Sequence, residues 1–306
     1  MNRPASSATG AGPHRLAVVG HPVSHSRSPD IHARFAAACG FAVDYTRVEA
    51  PLDAFVATVQ AFAADGGRGA ARGCNVTVPF KGEAFAACVR VSERARRAGA
   101  VNTISFEAEG WVGDNTDGAG LVRDLEHNAG VPLRGRRVLV LGAGGAAAGA
   151  LDPLLAAQPS ALVVANRTPD KAHALAGRFA DRAAQFGVPL TSAALEAPGE
   201  PFDVLVNATA ASLQADVPPL PAGTLRPGAL ALDMMYGPKA APFLLWARAQ
   251  GAVARDGLGM LVEQAAEAWV TWFGVRPDTF ATLAALRREV DAGVPASAPA
   301  PAQASA

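Results

Sequence analysis

The chain has 306 residues, half of them hydrophobic and 18% charged, with 27 basic and 27 acidic side chains. Such a composition forms a core, and the length suits two domains. Balanced charge offers no field for nucleic acid or an anionic membrane, and no apolar run approaches the ~20 residues that span a bilayer.

Residues 1–13 are small and polar with no signal-like apolar run, and 292–306 are rich in Pro, Ala and Ser; a disordered extension and tail are expected. Between them, short β-like runs alternate with amphipathic stretches, as in α/β layers. Leu16 to Val19 reads as a buried strand, and Ser28-Pro29 as the N-cap and first position of a helix. Val43 to Val48 alternates like a strand, Leu52 to Ala63 has helical spacing, and Cys74 to Val78 is again a strand. Asn102 to Phe106 pairs with the stretch around Trp111 through a Glu109-Gly110 turn. A second series opens with Val138 to Leu141, a continuous apolar strand of the parallel kind, running into Gly142–Gly145 and an alanine-rich helix. Leu162 to Ala165 follows, then a helix capped by Thr168-Pro169-Asp170. Val204 to Asn207 and Ala229 to Asp233 are strands; helices over 258–273 and 278–290 close the chain.

The three cysteines, Cys39, Cys74 and Cys88, match no metal or redox spacing, so reduced thiols in a cytoplasmic protein without a metal are expected. Arginine fills nearly every basic position; the lysines are Lys81, Lys171 and Lys239. Lysine can lose its proton where arginine cannot, which makes these positions conspicuous.

Gly142, Ala143, Gly144 and Gly145 lie between a strand and a helix, where backbone amides and the helix dipole can hold a pyrophosphate. The spacing closes at Gly149, two residues later than the usual fingerprint, and a ligand-free strand–helix turn has the same signature. The end of the next strand distinguishes the cofactors. An NAD enzyme carries an acid there for the ribose hydroxyls; this chain has Asn166, Arg167 and Thr168, with Lys171 a turn later, groups suited to a 2′-phosphate. NADP is the cofactor expected.

In the first half, Ser26 and Ser28 beside a helix N-terminus form a cradle for a carboxylate. Thr77 and Lys81 end the strand begun at Cys74, Asn102 begins another, and Asp117 opens the helix after Thr116. Hydride transfer at a carbinol carbon needs a group that moves the hydroxyl proton and others that orient the substrate. Lys81 beside Asp117 supplies the first, although the same two residues also suit a surface ion pair. A neighbouring carboxylate favours the ammonium and burial the free amine, so Lys81 reads as a proton donor and clamp on a developing alkoxide.

These motifs resemble the shikimate dehydrogenase family over about Arg15 to Pro277. The similarity runs through Ser24-His25-Ser26-Arg27-Ser28-Pro29, Asn75 to Lys81, Gly99 to Thr103, Gly113 to Gly118, Gly142 to Gly145, Asn166 to Thr168, Asn207 to Thr209, Asp233 to Tyr236 and Asp256 to Leu261. The resemblance implies two α/β domains, an N-terminal substrate domain (14–120 and 255–291) and a Rossmann-like NADP domain (121–254), with the active site in a cleft that opens and closes. It implies reversible NADPH-dependent reduction of 3-dehydroshikimate to shikimate, in chorismate and aromatic amino acid biosynthesis, by a monomer or homodimer whose partner is that small molecule. It implies that Lys81 and Asp117 are catalytic, and that Ser26, Ser28, Thr77, Asn102, Tyr236 and Gln264 hold the substrate. Gly142 to Gly145, Asn166, Arg167, Thr168, Lys171, Met234 and Gly257 would contact the cofactor. The chain departs from the family at Ala146-Ala147-Ala148, where Ala-Ser-Arg is usual, at Ala210-Ala211-Ser212, where hydroxyls are lost, and at His21. Two other readings stand beside this one: an NAD-using quinate/shikimate dehydrogenase, opposed by the missing acid, and a non-catalytic paralogue, opposed by the intact Lys81, Asp117 and Gln264.

Overall fold

A computed structural model describes residues 12–64, 71–209 and 216–293. The expected disorder of the extension and tail, and the departures at Ala210, Ala211 and Ser212, fall almost wholly outside these residues.

The first sheet contains β1 (His14–Gly20), β2 (Val43–Glu49), β3 (Ala71–Val76), β4 (Arg90–Val91), β5 (Thr103–Glu107) and β6 (Gly110–Asp114), in the order β2-β1-β3-β5-β6-β4. β1 runs parallel to β2 and β3, while β5 is antiparallel to β3 and β6. Its helices are α1 (Ser28–Cys39), α2 (Phe55–Ala64), α3 (Lys81–Ala87) and α4 (Glu93–Ala98). Then α5 (Asp117–Arg123) runs into a π-helical turn, Asp124–Asn128, and leads to the second sheet.

That sheet is parallel throughout. It comprises β7 (Arg137–Leu141), β8 (Ala161–Asn166), β9 (Leu190–Ala194), β10 (Phe202–Asn207), β11 (Leu225–Asp233) and β12 (Val253–Arg255), in the order β12-β11-β10-β7-β8-β9. The order reverses between β7 and β10, and such a switch point opens a crevice at the strands' carboxyl ends. The remaining helices are α6 (Gly145–Ala156), α7 (Pro169–Arg178), α8 (Ala180–Phe186), α9 (Ala241–Ala249), α10 (Leu258–Phe273) and α11 (Phe280–Asp291).

Helices on both faces explain the unbroken apolar run of β7. Val138 and Val140 enter the core under α6, α7 and α8, while Leu139 and Leu141 enter the one under α9. The first sheet is likewise covered twice. Ala17, Val19 and Cys74 pack with α2, α3 and α4; α1 and α10 lie on the other face with Leu16, Phe35 and the fully buried Trp269. Thus α10, which follows the second sheet in the chain, completes the core of the first.

The expected elements are present with shifted ends. Ser28 is not the N-cap of α1: Arg27 occupies that place and no side chain caps the helix. Thr168 is the N-cap of α7, but its side chain makes no capping bond. The strand from Cys74 stops at Val76, ahead of Pro79, and α2 begins at Phe55. α11 starts at Phe280, whose N–H donates to Asp278 Oδ1 at 3.0 Å, so the aspartate caps the helix from outside. The edge strands β9 and β12 lack a strong sequence signature because they are short and little buried.

Candidate active site

Asp117 opens α5 and Lys81 opens α3, and the two meet with Lys81 Nζ 2.6 Å from Asp117 Oδ2. Their side chains keep 31% and 14% of their exposure, so the pair is reachable from solvent but largely walled in. Asn102 fixes the other carboxylate oxygen: its Nδ2 donates to Asp117 Oδ1 at 2.8 Å and faces Gln264 Oε1 at 3.4 Å. Asn102 Oδ1 in turn accepts from Thr116 N at 2.8 Å and Thr103 Oγ1 at 2.9 Å. A buried amide with its groups so engaged is a rigid support.

The turn before Asp117 is held just as closely. Asp114 Oδ1 accepts from Ser92 Oγ, from Arg94 Nε at 2.7 Å and from Asn115 N at 2.7 Å. Burial opposes its charge, yet Arg94, Ser92 and the Asn115 amide outweigh it and hold Asp114 below the usual carboxylate range. Two glycines then let α5 lie between two other helices. A Cβ on Gly118 would stand 2.2 Å from Gly149 O of α6, and one on Gly120 2.5 Å from Gln264 N of α10. Asp117 is therefore set between the helix of the glycine turn and the helix of Gln264.

Sequence reasoning missed the connection between this group and the serine loop. Tyr45 OH donates to Asn75 Oδ1 at 2.7 Å and also meets Ser28. Asn75 Nδ2 donates to Thr103 Oγ1 at 3.1 Å and Asn102 O at 3.2 Å. The network thus runs from Ser28 through Tyr45, Asn75, Thr103 and Asn102 to Asp117. Burial pushes the Tyr45 phenol up, which keeps it a neutral donor. Ser26 Oγ and Ser28 Oγ are 3.2 Å apart, and Arg47 donates from Nε and Nη2 to Ser26 O at 2.9 and 2.5 Å. Arg27 ties the same loop to Glu289 at 3.1 Å. The available signal was the rarity of tyrosine. The chain has two, and both lie by this loop: Tyr236 is close enough to Arg27 to feel its charge. Thr77 adjoins Lys81 through the turn closed by Phe80 N and Thr77 O at 3.1 Å. His21, by contrast, faces Glu49 at 3.4 Å.

The cofactor candidates form a second group at the crevice. Gly142 has φ +103°, and a Cβ there would lie 3.0 Å from Ala208 O, so the turn requires glycine. Gly144 and Gly145 are exposed at the start of α6 with open space where side chains would stand. Of the three alanines, Ala147 and Ala148 are buried in the core and only Ala146 is exposed. At the end of β8, Asn166 Nδ2 braces the loop through Thr168 O at 2.9 Å. Arg167 and Lys171 are exposed, and neither makes an ion pair among the described residues. Met234 and Gly257 adjoin: a Cβ on Gly257 would stand 2.3 Å from Met234 O. Exposed amides at a helix N-terminus, two unpaired cations and an amide in place of an acid fit a dinucleotide bearing a 2′-phosphate.

Fold and site together define a class: two-sheet α/β proteins in which a dinucleotide-type crevice adjoins a polar, Lys–Asp-centred pocket on the other sheet. Comparison with known proteins narrows it. The profile of the shikimate dehydrogenase substrate binding domain matches residues 18–104, that of shikimate/quinate 5-dehydrogenase 125–215, and that of the shikimate 5′-dehydrogenase C-terminal domain 257–287. A shikimate dehydrogenase (NADP(+)) from Methylibium petroleiphilum is 60% identical, covering 90% of this chain and 95% of that protein. The crystal structure of an Ael1 enzyme from Pseudomonas putida superposes with a TM-score of 0.83 at 49% identity, covering 89% of this chain and 98% of the other. Shikimate 5-dehydrogenase from Thermus thermophilus, solved with NADP(H) and shikimate, gives 0.77 at 36% identity, covering 90% and 99%. The chain belongs to the shikimate dehydrogenase family.

Proposed function

We propose that this chain is an NADP-dependent shikimate dehydrogenase that reversibly reduces 3-dehydroshikimate to shikimate in chorismate and aromatic amino acid biosynthesis. The observation that carries the reading is the Lys81–Asp117 pair, held by Asn102 and placed by α5 against the helix of the glycine turn. Relatives named for this reaction support it, as does a neighbouring structure holding NADP(H) and shikimate. We place the substrate domain at 14–120 and 255–291 and the NADP domain at 121–254, in a cytoplasmic monomer or homodimer.

Gly142 to Gly145 would hold the pyrophosphate, Arg167 and Lys171 the 2′-phosphate, with Asn166, Thr168, Met234 and Gly257 completing the contacts. When bound, NADPH supplies the hydride to the carbonyl carbon. The chain's own work is at the oxygen: Lys81 delivers a proton as negative charge develops there, and its ammonium stabilises that charge. Asp117 accepts from Lys81 through Oδ2 and is fixed through Oδ1, so the ammonium is aimed before substrate arrives. Ser26 and Ser28 would take the substrate carboxylate; Thr77, Asn102, Tyr236 and Gln264 would orient its hydroxyls.

The first test is absorbance at the reduced-nicotinamide band with shikimate and either cofactor. Rapid reduction of NADP with little of NAD is expected. Equal use of NAD would move the protein to the quinate-type reading, and no turnover by folded protein would favour a binding paralogue.

A further inference from the structure

A second cavity, of about 570 Å³, lies where the chain crosses between the two sheets. Both crossings line it: His127 and Asn128 at the end of the π-helical turn, and Arg255 at the end of β12 with Asp256 after it. α9 and α11 form its sides, with Leu244, Leu283 and Phe280 as apolar wall. Phe280 is 78% exposed and presents its ring at the cavity wall.

The charges around it are unequally satisfied. Asp256 is spent: Arg287 grips both its oxygens, and the amides of Gly237 and Leu258 donate to it at 3.1 and 3.3 Å. Arg287 also faces Asp291 at 3.6 Å. Arg255 places Nη2 3.0 Å from the buried Asp124, but its own Nε is buried without a hydrogen-bond partner. Arg248 is exposed on α9, lines the cavity and makes no ion pair among the described residues. Asp291 also lines the cavity, so of its three arginines only Arg248 is left without an ion pair among the described residues, above an apolar wall and in a volume suited to a small molecule.

We propose that this cavity is a binding site for a small amphiphilic anion, one carboxylate or sulfonate on a flat apolar body, and that its occupation alters the active site. The anion sits between Arg248 and Arg255 while the apolar body covers Phe280 and Leu283. The route to the active site is short. Asp256, in the cavity wall, accepts from Gly237 next to Tyr236 and precedes Gly257. A ligand bridging α9 and α11 also ties the second sheet to a helix that packs on the first, favouring one relation between them. Coupling of this kind is reciprocal: substrate must change the ligand's affinity as much as the ligand changes the substrate's.

The probe is 1-anilinonaphthalene-8-sulfonate, titrated by fluorescence into the full chain saturated with NADP+. One saturable site is expected, weakened about ten-fold or more in Arg248→Glu, which loses a charge-assisted contact, and in Phe280→Ser, which loses the apolar wall. N-phenyl-1-naphthylamine, the same body without the sulfonate, should bind about ten-fold more weakly. The probe should shift KM for shikimate in the parent and not in Arg248→Glu, which without probe keeps parental activity. Absence of a saturable site, or equal binding by Arg248→Glu, overturns the proposal; binding without a KM shift overturns its coupling. Only that last arm rests on the dehydrogenase reading. A chain that binds the probe but oxidises no shikimate would sink the reading and leave the site standing.

Discussion

Lys81 Nζ lies 2.6 Å from Asp117 Oδ2, and that contact makes separable predictions for single side chains. Lys81→Met should lower kcat by about 10²–10⁴, the usual worth of a positioned acid, with a much smaller change in KM, as steady-state kinetics would show. Arg167→Ser should raise KM for NADPH about 10- to 100-fold, the loss of a charge-assisted contact of about 1.5–3 kcal/mol, and leave the weak use of NADH nearly unchanged. Tyr45→Phe removes the donor to Asn75 Oδ1 and leaves a buried acceptor unsatisfied. A loss of about 1–3 kcal/mol in urea denaturation is expected. Stability unchanged to within a few tenths of that would mean the chain from Ser28 to Asp117 is not a working network.

At the scale of the element, α5 is the centre of the arrangement. Gly120→Ala should destabilise by about 1–3 kcal/mol, because the new methyl meets the Gln264 backbone, which cannot turn aside as a side chain could. Activity should fall with it as Asp117 shifts. Gly177→Ala, in α7 with open space at its Cβ, should instead stabilise by up to about 1 kcal/mol, the helix-propensity gain alone. Thermal denaturation of the two variants decides whether packing or propensity governs each helix. The start of α5 at Asp117 was legible after Thr116, and with Gly118 and Gly120 lowering its propensity the helix is held by its neighbours. β7, α6 and α10 were legible from their apolar pattern, and α10 has the bounds the pattern predicted. The Lys–Asp pair was legible as residue types at strand and helix ends. The network through Tyr45 and Asn75 was not, because it is made between strands whose pairing no local pattern reveals.

For the whole molecule, His32 makes a large contribution to the response to mild acid. It is fully buried, with its ring 4.3 Å from that of Tyr45 and 5.9 Å from Trp269. Burial pushes it down to about 3, with Asn75 offsetting part of the effect. The unfolded chain takes up this proton near pH 6.5 and the native state does not. Stability is therefore whole above about 6.5 and falls as pH drops toward 3, by about 2 kcal/mol between pH 7 and pH 5 from this group alone. Unfolding free energies from urea denaturation at those two pH values should differ by about that much in the parent, and by clearly less in His32→Phe. Asp114 and Asp256, both held below the usual carboxylate range, add to the loss only in stronger acid.

The position of α10 also sets a timetable for synthesis. The strands of the first sheet leave the ribosome on the order of ten seconds or more before the helix that covers one of their faces, at translation rates of roughly 5–20 residues per second. Throughout that interval Leu16, Ile31 and Phe35 lack Trp269 and its neighbours. Meanwhile the second sheet emerges as one continuous stretch whose core lacks only Met260 of α10 among its buried members. The nascent chain thus has a nearly complete middle and an uncovered beginning. Its earliest residues need shelter longest, and any ribosome that stalls before Leu258 releases a sticky half-built product rather than a smaller working enzyme.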